Sequence, residues 1–142
     1  MFLGRYSYAV DGKGRLAIPA RFRAPLAGGL VLTRGFDRCL TLYPLDAWTP
    51  LAERIDALSI ADPDGRAFRR QVFAEAADLE LDGQGRILLP GALRAYAGIE
   101  REAVVVGVHS FVEIWNAAEW ESMASTSQHD VEAIAKRLAS LI

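Results

Sequence analysis

The feature that most constrains this chain is that it contains itself twice. Asp11-Gly-Lys-Gly-Arg15-Leu-Ala-Ile-Pro19 recurs 71 residues later as Asp82-Gly-Gln-Gly-Arg86-Ile-Leu-Leu-Pro90. The aspartate, both glycines, the arginine and the proline are identical, and the three positions before the proline are apolar in both copies. Arg23 maps onto Arg94 at the same offset. One inserted residue later the match resumes at an offset of 72, with Gly35 on Gly107, Leu42 on Ile114, Tyr43 on Trp115 and Trp48 on Trp120. Two unrelated hairpins that happened to share an Asp-Gly turn would not go on matching in this order. The chain therefore reads as two copies of one unit, roughly 1–77 and 78–142. Its 142 residues amount to one ordinary domain or two very small ones.

Each unit carries the same local signals. Tyr6, Tyr8 and Val10 alternate with small or polar residues, as on a half-buried strand. Asp11-Gly-Lys-Gly is a tight-turn sequence, and Arg15–Ile18 reads as the returning strand of a hairpin. Pro19 opens a short helix through Arg23 that Pro25 should stop, and in the second copy Pro90 and Gly98 bracket the counterpart. Strands follow at about Leu30–Arg34 and Cys39–Tyr43, and again at Ala103–Gly107 and Phe111–Trp115. Helices finish each unit. Trp48, Leu51, Ile55 and Leu58 form one apolar stripe, on which Pro50 fits only near the helix start. Asp64 is the expected cap of a second helix carrying Phe68, Val72 and Ala76. Asn116 and Glu119 have capping-box spacing, and a final helix puts Val131, Ile134, Leu138 and Leu141 on one face. Residues 61–65 and 125–128 read as loops. The expected class is α+β, mainly β with helices. One repeat spans 5–48 with helices to about 76, and the other spans 77–121 with a C-terminal helix to 142.

Composition excludes several classes. A chain that is 51% hydrophobic and 24% charged is foldable, not disordered. Apolar runs such as Ala103–Val106 fall far short of the roughly 18 residues a membrane helix needs. A single cysteine permits neither an internal disulfide nor a four-cysteine zinc site, and two histidines are too few for most histidine-rich metal centres. The opening residues show no secretion signal, so a reducing, cytoplasmic setting is expected. No catalytic group stands out. Cys39 reads as core, His109 as a turn residue without a partner, and His129 as a surface residue near a helix start. The acid pairs Glu80/Asp82 and Glu119/Glu121 read as solvated surface. The Gly-x-Gly steps at 12–14 and 83–85 lack the residues that phosphate loops need. No metal, cofactor or small-molecule ligand is indicated.

Charge is unevenly spread. The net charge is −2, yet residues 1–38 hold seven basic and two acidic residues. A local basic face can bind a polyanion on an acidic chain. The doubled Asp-x-x-x-Arg has two readings at each arginine: a solvated pair with the local aspartate, or a fork for phosphate and base edges. Lys13 sits at the turn apex, either as a polyanion contact or as a solubilising lysine, and Gln84 takes its place in the second copy. A two-stranded ribbon of this kind fits a DNA major groove. Trp48 and Trp120 read as core residues that pin helices to the strands. The apolar helix faces, including Phe68, Val72, Ile134 and Leu138, exceed what one small barrel buries, so part of them should meet another subunit.

Several pieces together resemble the MraZ family, bacterial transcriptional regulators built from two SpoVT/AbrB-like repeats. They are the opening Met1-Phe-Leu-Gly4, Asp11-x-Lys13-Gly-Arg15, Ile18-Pro19-x-x-Phe22-Arg23 and the run from Leu32 to Leu40. Tyr43-Pro44, Asp82-x-Gln84-Gly-Arg86, Val104–Gly107 and Glu113-Ile-Trp115 complete them. The resemblance runs from residue 2 to about 120; the last twenty residues match only as an amphipathic, acidic helix. It implies an interwoven, swapped-hairpin β-barrel with pseudo-twofold symmetry, assembled into a closed homo-oligomeric ring. It also implies binding of double-stranded DNA at tandem boxes upstream of the family's own gene, heading a division and cell-wall cluster, usually as a repressor on the nucleoid. By motif position Lys13, Arg15 and Arg86 contact DNA, while Asp11, Gly14, Asp82 and Gly85 shape the turns. Gln84 departs from the first copy and implies unequal affinity of the two repeats. Two other readings stand beside this one: an AbrB-type antitoxin that grips DNA and a toxin, and a ring adaptor that binds no DNA.

Overall fold

A computed structural model describes residues 1–128 and 130–141, the side chains of 126–128 excepted. His129 and the expected helix end at residue 142 lie outside the described residues. The first copy forms β1 (Arg5–Ala9), β2 (Arg15–Ala17), α1 (Ala20–Leu26), β3 (Leu30–Arg34), β4 (Leu40–Pro44), α2 (Leu45–Asp56) and α3 (Pro63–Glu75). The second forms β5 (Ala77–Leu79), β6 (Arg86–Leu88), α4 (Gly91–Ala97), β7 (Glu102–Gly107), β8 (Val112–Asn116), α5 (Ala117–Gln128) and α6 (Val131–Leu138), ending in a 3-10 turn at Ala139–Leu141. The class is α+β, with mainly antiparallel strands, as the sequence leads one to expect.

The strands do not pair as simple hairpins. β1 and β2 share only the bridge Val10–Leu16 and then part. β1 pairs with β7, and β2 pairs with β6, both across the two copies. Three-residue strands joined by a tight turn hide little apolar surface alone. Crossing brings Leu16 and Ile87 to 0% and 1% exposure. The large sheet has the order β1-β7-β8-β4-β3-β5. Exchanging β1 with β5, β3 with β7 and β4 with β8 reverses that order into itself, so a pseudo-twofold passes between β4 and β8. The small sheet obeys the same exchange. Leu16 stands opposite Ile87, the Ile18 amide donates to the Gly85 carbonyl at 2.9 Å, and the Leu89 amide donates to the Gly14 carbonyl at 2.9 Å. Each copy thus lends an edge strand to the other's sheet.

One core results, drawn from both copies. Period-two alternation points Leu30 and Leu32, Leu40 and Leu42, Ala103 and Val105, and Val112 and Ile114 inward. Phe22 of α1 closes it, edge-on to Phe2 at 5.2 Å and Tyr6 at 5.5 Å. Because this cluster mixes residues of both repeats, neither repeat holds a complete core of its own.

Several expected helix limits are corrected. α1 runs past Pro25 to Leu26. Near the end of a seven-residue helix the missing proline N–H removes one hydrogen bond, and the turn closes through the Ala27 amide on the Ala24 carbonyl at 3.2 Å. Pro50 lies well inside α2, on its exposed side, and removes only the bond to the carbonyl of Asp46 in the first turn. The cap of α3 is Asp62, two residues before the expected Asp64; its Oδ1 accepts the Asp64 amide at 2.9 Å, with Pro63 at the first helical position. Residues 63–65 are therefore helical. So are 125–128, where Ser-Thr-Ser-Gln contains no breaker and α5 continues. Asn116 does cap α5, its Oδ1 accepting the Glu119 amide at 3.0 Å. Trp48 and Trp120 are half-buried at the edge instead of lying in the main core. Trp48 joins α2 to Tyr43 of β4 and Phe73 of α3, and Trp120 joins α5 to Trp115 of β8. Among the described residues no helix is long and apolar enough to cross a membrane.

Candidate nucleic-acid interface

Both Asp-x-x-x-Arg turns are built alike. Asp11 Oδ1 accepts the amides of Lys13 and Arg15 at 2.9 Å each, and Oδ2 accepts Arg15 Nε at 2.6 Å. Asp82 Oδ1 accepts the amides of Gln84 at 2.8 Å and Arg86 at 2.9 Å, and Oδ2 accepts Arg86 Nε at 2.9 Å. Gly14 and Gly85 take φ of +83° and +74°, which closes each turn onto its aspartate carbonyl at 3.0 Å. The two readings of the arginine are thus compatible. The aspartate holds the Nε edge, and in Arg15 this leaves the terminal guanidinium nitrogens outside that bond.

The carboxylates are correspondingly acidic. The Arg15 amide, then the Arg15 side chain and the Lys13 amide, outweigh partial desolvation and hold Asp11 down at about 2 from its ordinary 3.8. Asp82 is lowered in the same way, first by the Arg86 amide. A carboxylate lowered by folding stabilises the fold above its unfolded pKa, and that contribution fades as pH falls through the folded value. The turn is therefore expected to be insensitive to pH from 8 down to 5, and to loosen only between 3.8 and about 2. A carboxyl-carbon NMR titration of Asp11 should give a midpoint near 2; an ordinary midpoint would mean that the turn bonds do not form in solution.

The crossed ribbon brings the two turns side by side. In the β2–β6 ladder Arg15 stands opposite Leu88, and Arg86 opposite Ala17. Leu16 and Ile87 point into the core, so Arg15, Ala17, Arg86 and Leu88 make the outward face. Arg86 Nη1 lies 3.8 Å from Asp11 Oδ2, so this arginine faces the carboxylates of both turns. Lys13 and Gln84 are exposed at the two tips.

Two further arginines pack against the turns of the opposite copy. Arg23 of α1 lies against Gly85 so closely that an added Cβ there would collide with it, while its Nε donates to the Ile18 carbonyl at 2.9 Å. Arg94 of α4 does the same at Gly14, with Nη1 3.2 Å from where a Cβ would stand, and donates to the carbonyls of Ile99 and Glu100. The sequence matches these arginines across the repeat but assigns them no role; their recurrence at the offset of the turns was the available signal.

Apart from Asp82, the candidate catalytic residues lie outside the two turns. Cys39 is fully buried, its Sγ donates to the Phe36 carbonyl at 3.0 Å, and burial, with nearby Glu113, pushes its thiol up to about 12. His109 is exposed in the β7–β8 turn at φ +65°, tied by its backbone to Phe2. Glu80, Asp82, Glu119 and Glu121 are exposed. Among the described residues no group of three His, Cys, Asp or Glu could hold a metal.

A family model described as "MraZ protein, putative antitoxin-like" matches the chain twice, over residues 1–71 and 72–141. A protein of Thermomicrobium roseum named Transcriptional regulator MraZ is 65% identical over 142 residues, the whole of both chains. One of the same name from Herpetosiphon aurantiacus is 54% identical over 140 residues, covering 99% of this chain and 98% of that protein. Another from Desulfitobacterium hafniense is 47% identical over 141 residues, 99% of each. A repeat matched end to end, relatives of the same length, and twin Asp–Arg turns on one crossed ribbon lead to a single assignment: this chain belongs to the MraZ family.

Proposed function

We propose that the chain is a non-enzymatic transcriptional regulator that binds double-stranded DNA with the outward face of the β2–β6 ribbon. The observation that carries this reading is the pair of arginines on one exposed ribbon face, each aimed by its own aspartate. A ribbon of this width enters a major groove, and a guanidinium fork engages phosphate or the guanine edge. Lys13, Arg15 and Arg86 are the contacts, and Asp11, Gly14, Asp82 and Gly85 set the turns that present them. The name shared by the relatives supports the regulatory role.

The finer reading follows the family resemblance. The units at 5–48 and 77–121 act as paired DNA-binding repeats, and several chains close into a ring. The ring sits on tandem boxes upstream of its own gene, ahead of the division and cell-wall cluster, and represses it. The setting is the cytoplasm, on the nucleoid. A footprint on the DNA just upstream of this gene tests the reading. Protection of regularly spaced short boxes, absent on scrambled DNA, is the expected result. Uniform lack of protection would leave the adaptor reading in its place.

A further inference from the structure

The ribbon face is not uniformly polar. Among the described residues Leu88 is the only large apolar side chain exposed on a strand, at 57%. A lone exposed leucine needs no explanation in itself; this one is notable for where it stands. It lies opposite Arg15 across the ladder and two residues from Arg86 on its own strand. Its Cδ1 reaches the first turn, 3.8 Å from the position a Cβ would take on Gly14. The equivalent residue of the first copy is Ala17, opposite Arg86. The strand exchange therefore makes two unlike binding surfaces. The first turn presents Lys13 and Arg15 with Leu88 supplied by the other copy. The second presents Gln84 and Arg86 with only Ala17 beside them.

Phosphates and sugars offer an isobutyl group little, whereas the major groove offers one apolar feature, the C5-methyl of thymine. Resting on the DNA-binding reading above, we propose that Leu88 is a specificity-determining residue. It packs on a thymine methyl next to the contact made by Arg15, so that the first turn favours an A·T pair at that step. Ala17 has no carbon beyond Cβ to reach as far beside the second turn.

The test compares DNA from upstream of this gene, made with thymine or with uracil throughout, which removes the methyl and keeps the pairing. Wild type should bind uracil DNA about three- to tenfold more weakly per site. Leu88→Ala, which copies Ala17, should bind thymine DNA weaker by a similar factor and no longer distinguish the two. Melting temperature and assembly mass should match the wild type. The proposal falls if wild type binds both DNAs equally, if Leu88→Ala keeps the thymine preference, or if the variant changes the assembly mass, which would make Leu88 a subunit contact. Arg15→Ala separates the two levels. If it and Arg86→Ala both bind like wild type, the ribbon reading itself fails. If it loses DNA while thymine and uracil DNA bind wild type alike, only the role of Leu88 fails.

Discussion

Arg15→Ala is expected to nearly abolish DNA binding while leaving the melting temperature and the assembly close to wild type. The side chain is 33% exposed, and its ion pair is with Asp11. Removing a partly solvated ion pair costs about 1 kcal/mol or less. The turn survives the change, because Asp11 still accepts the amides of Lys13 and residue 15, and Gly14 still closes onto the Asp11 carbonyl. Leu16 and Ile18, which anchor the strand, are untouched. A lost arginine–base or arginine–phosphate contact costs roughly 1–3 kcal/mol at each site, and an assembly repeats the loss at every ribbon it uses. Arg86→Ala should weaken DNA binding at least as much, since Gln84 offers no cation at the second tip. It should also lower the melting temperature slightly more than Arg15→Ala, because Arg86 is the more buried of the two and lies near both Asp11 and Asp82. Mobility shift and thermal melting decide the matter. A variant that unfolds shows the arginine to be structural; both variants folded and binding normally would place DNA binding elsewhere.

The sequence made the repeat, the strand positions and the twin turns legible, because each rests on local signals that occur twice. Asp-Gly turns, Pro19 and Pro90 before short helices, and the alternation from Leu30 to Leu42 are such signals. The partner of each strand was not among them. A tight turn at Asp11 reads as a local hairpin, whereas the burial of Leu16 against Ile87 comes from a crossing that no local pattern records and only the family resemblance implied. Helix limits misled where a rule has a positional exception, as with Pro25 in a last turn and Asp62 ahead of a first-position proline. At the site, Lys13, Arg15 and Arg86 stood out by recurrence. The packing of Arg23 and Arg94 on the opposite turns, and the place of Leu88 beside Gly14, needed the fold, because each joins residues of different copies.

Affinity should rise steeply with the number of DNA boxes, and a helix-face substitution should remove that gain without touching the single-box affinity. Apolar side chains remain exposed on the helices: Phe68 and Phe73 on α3, and Val131 and Leu138 on α6, followed by Leu141. Exposed apolar faces of this kind are expected to meet between copies, and a closed ring would leave no copy with an unpaired face. Light scattering should then report a mass several times 15.5 kDa. One ribbon is expected to neutralise few phosphates, each adding about −0.9 to the slope of log K against log salt, so a lone chain should bind weakly at physiological salt. Joined ribbons on adjacent boxes gain by effective concentration, on the order of a hundredfold or more from one box to three. Phe68→Asp and Leu138→Asp put charge on the exposed faces and leave the ribbon intact. Each should reduce the mass and bring three-box affinity down to that of one box. A monodisperse wild-type monomer at micromolar concentration would remove the ring, and equal wild-type affinity for one box and three would remove the multivalent mechanism even if the ring stands.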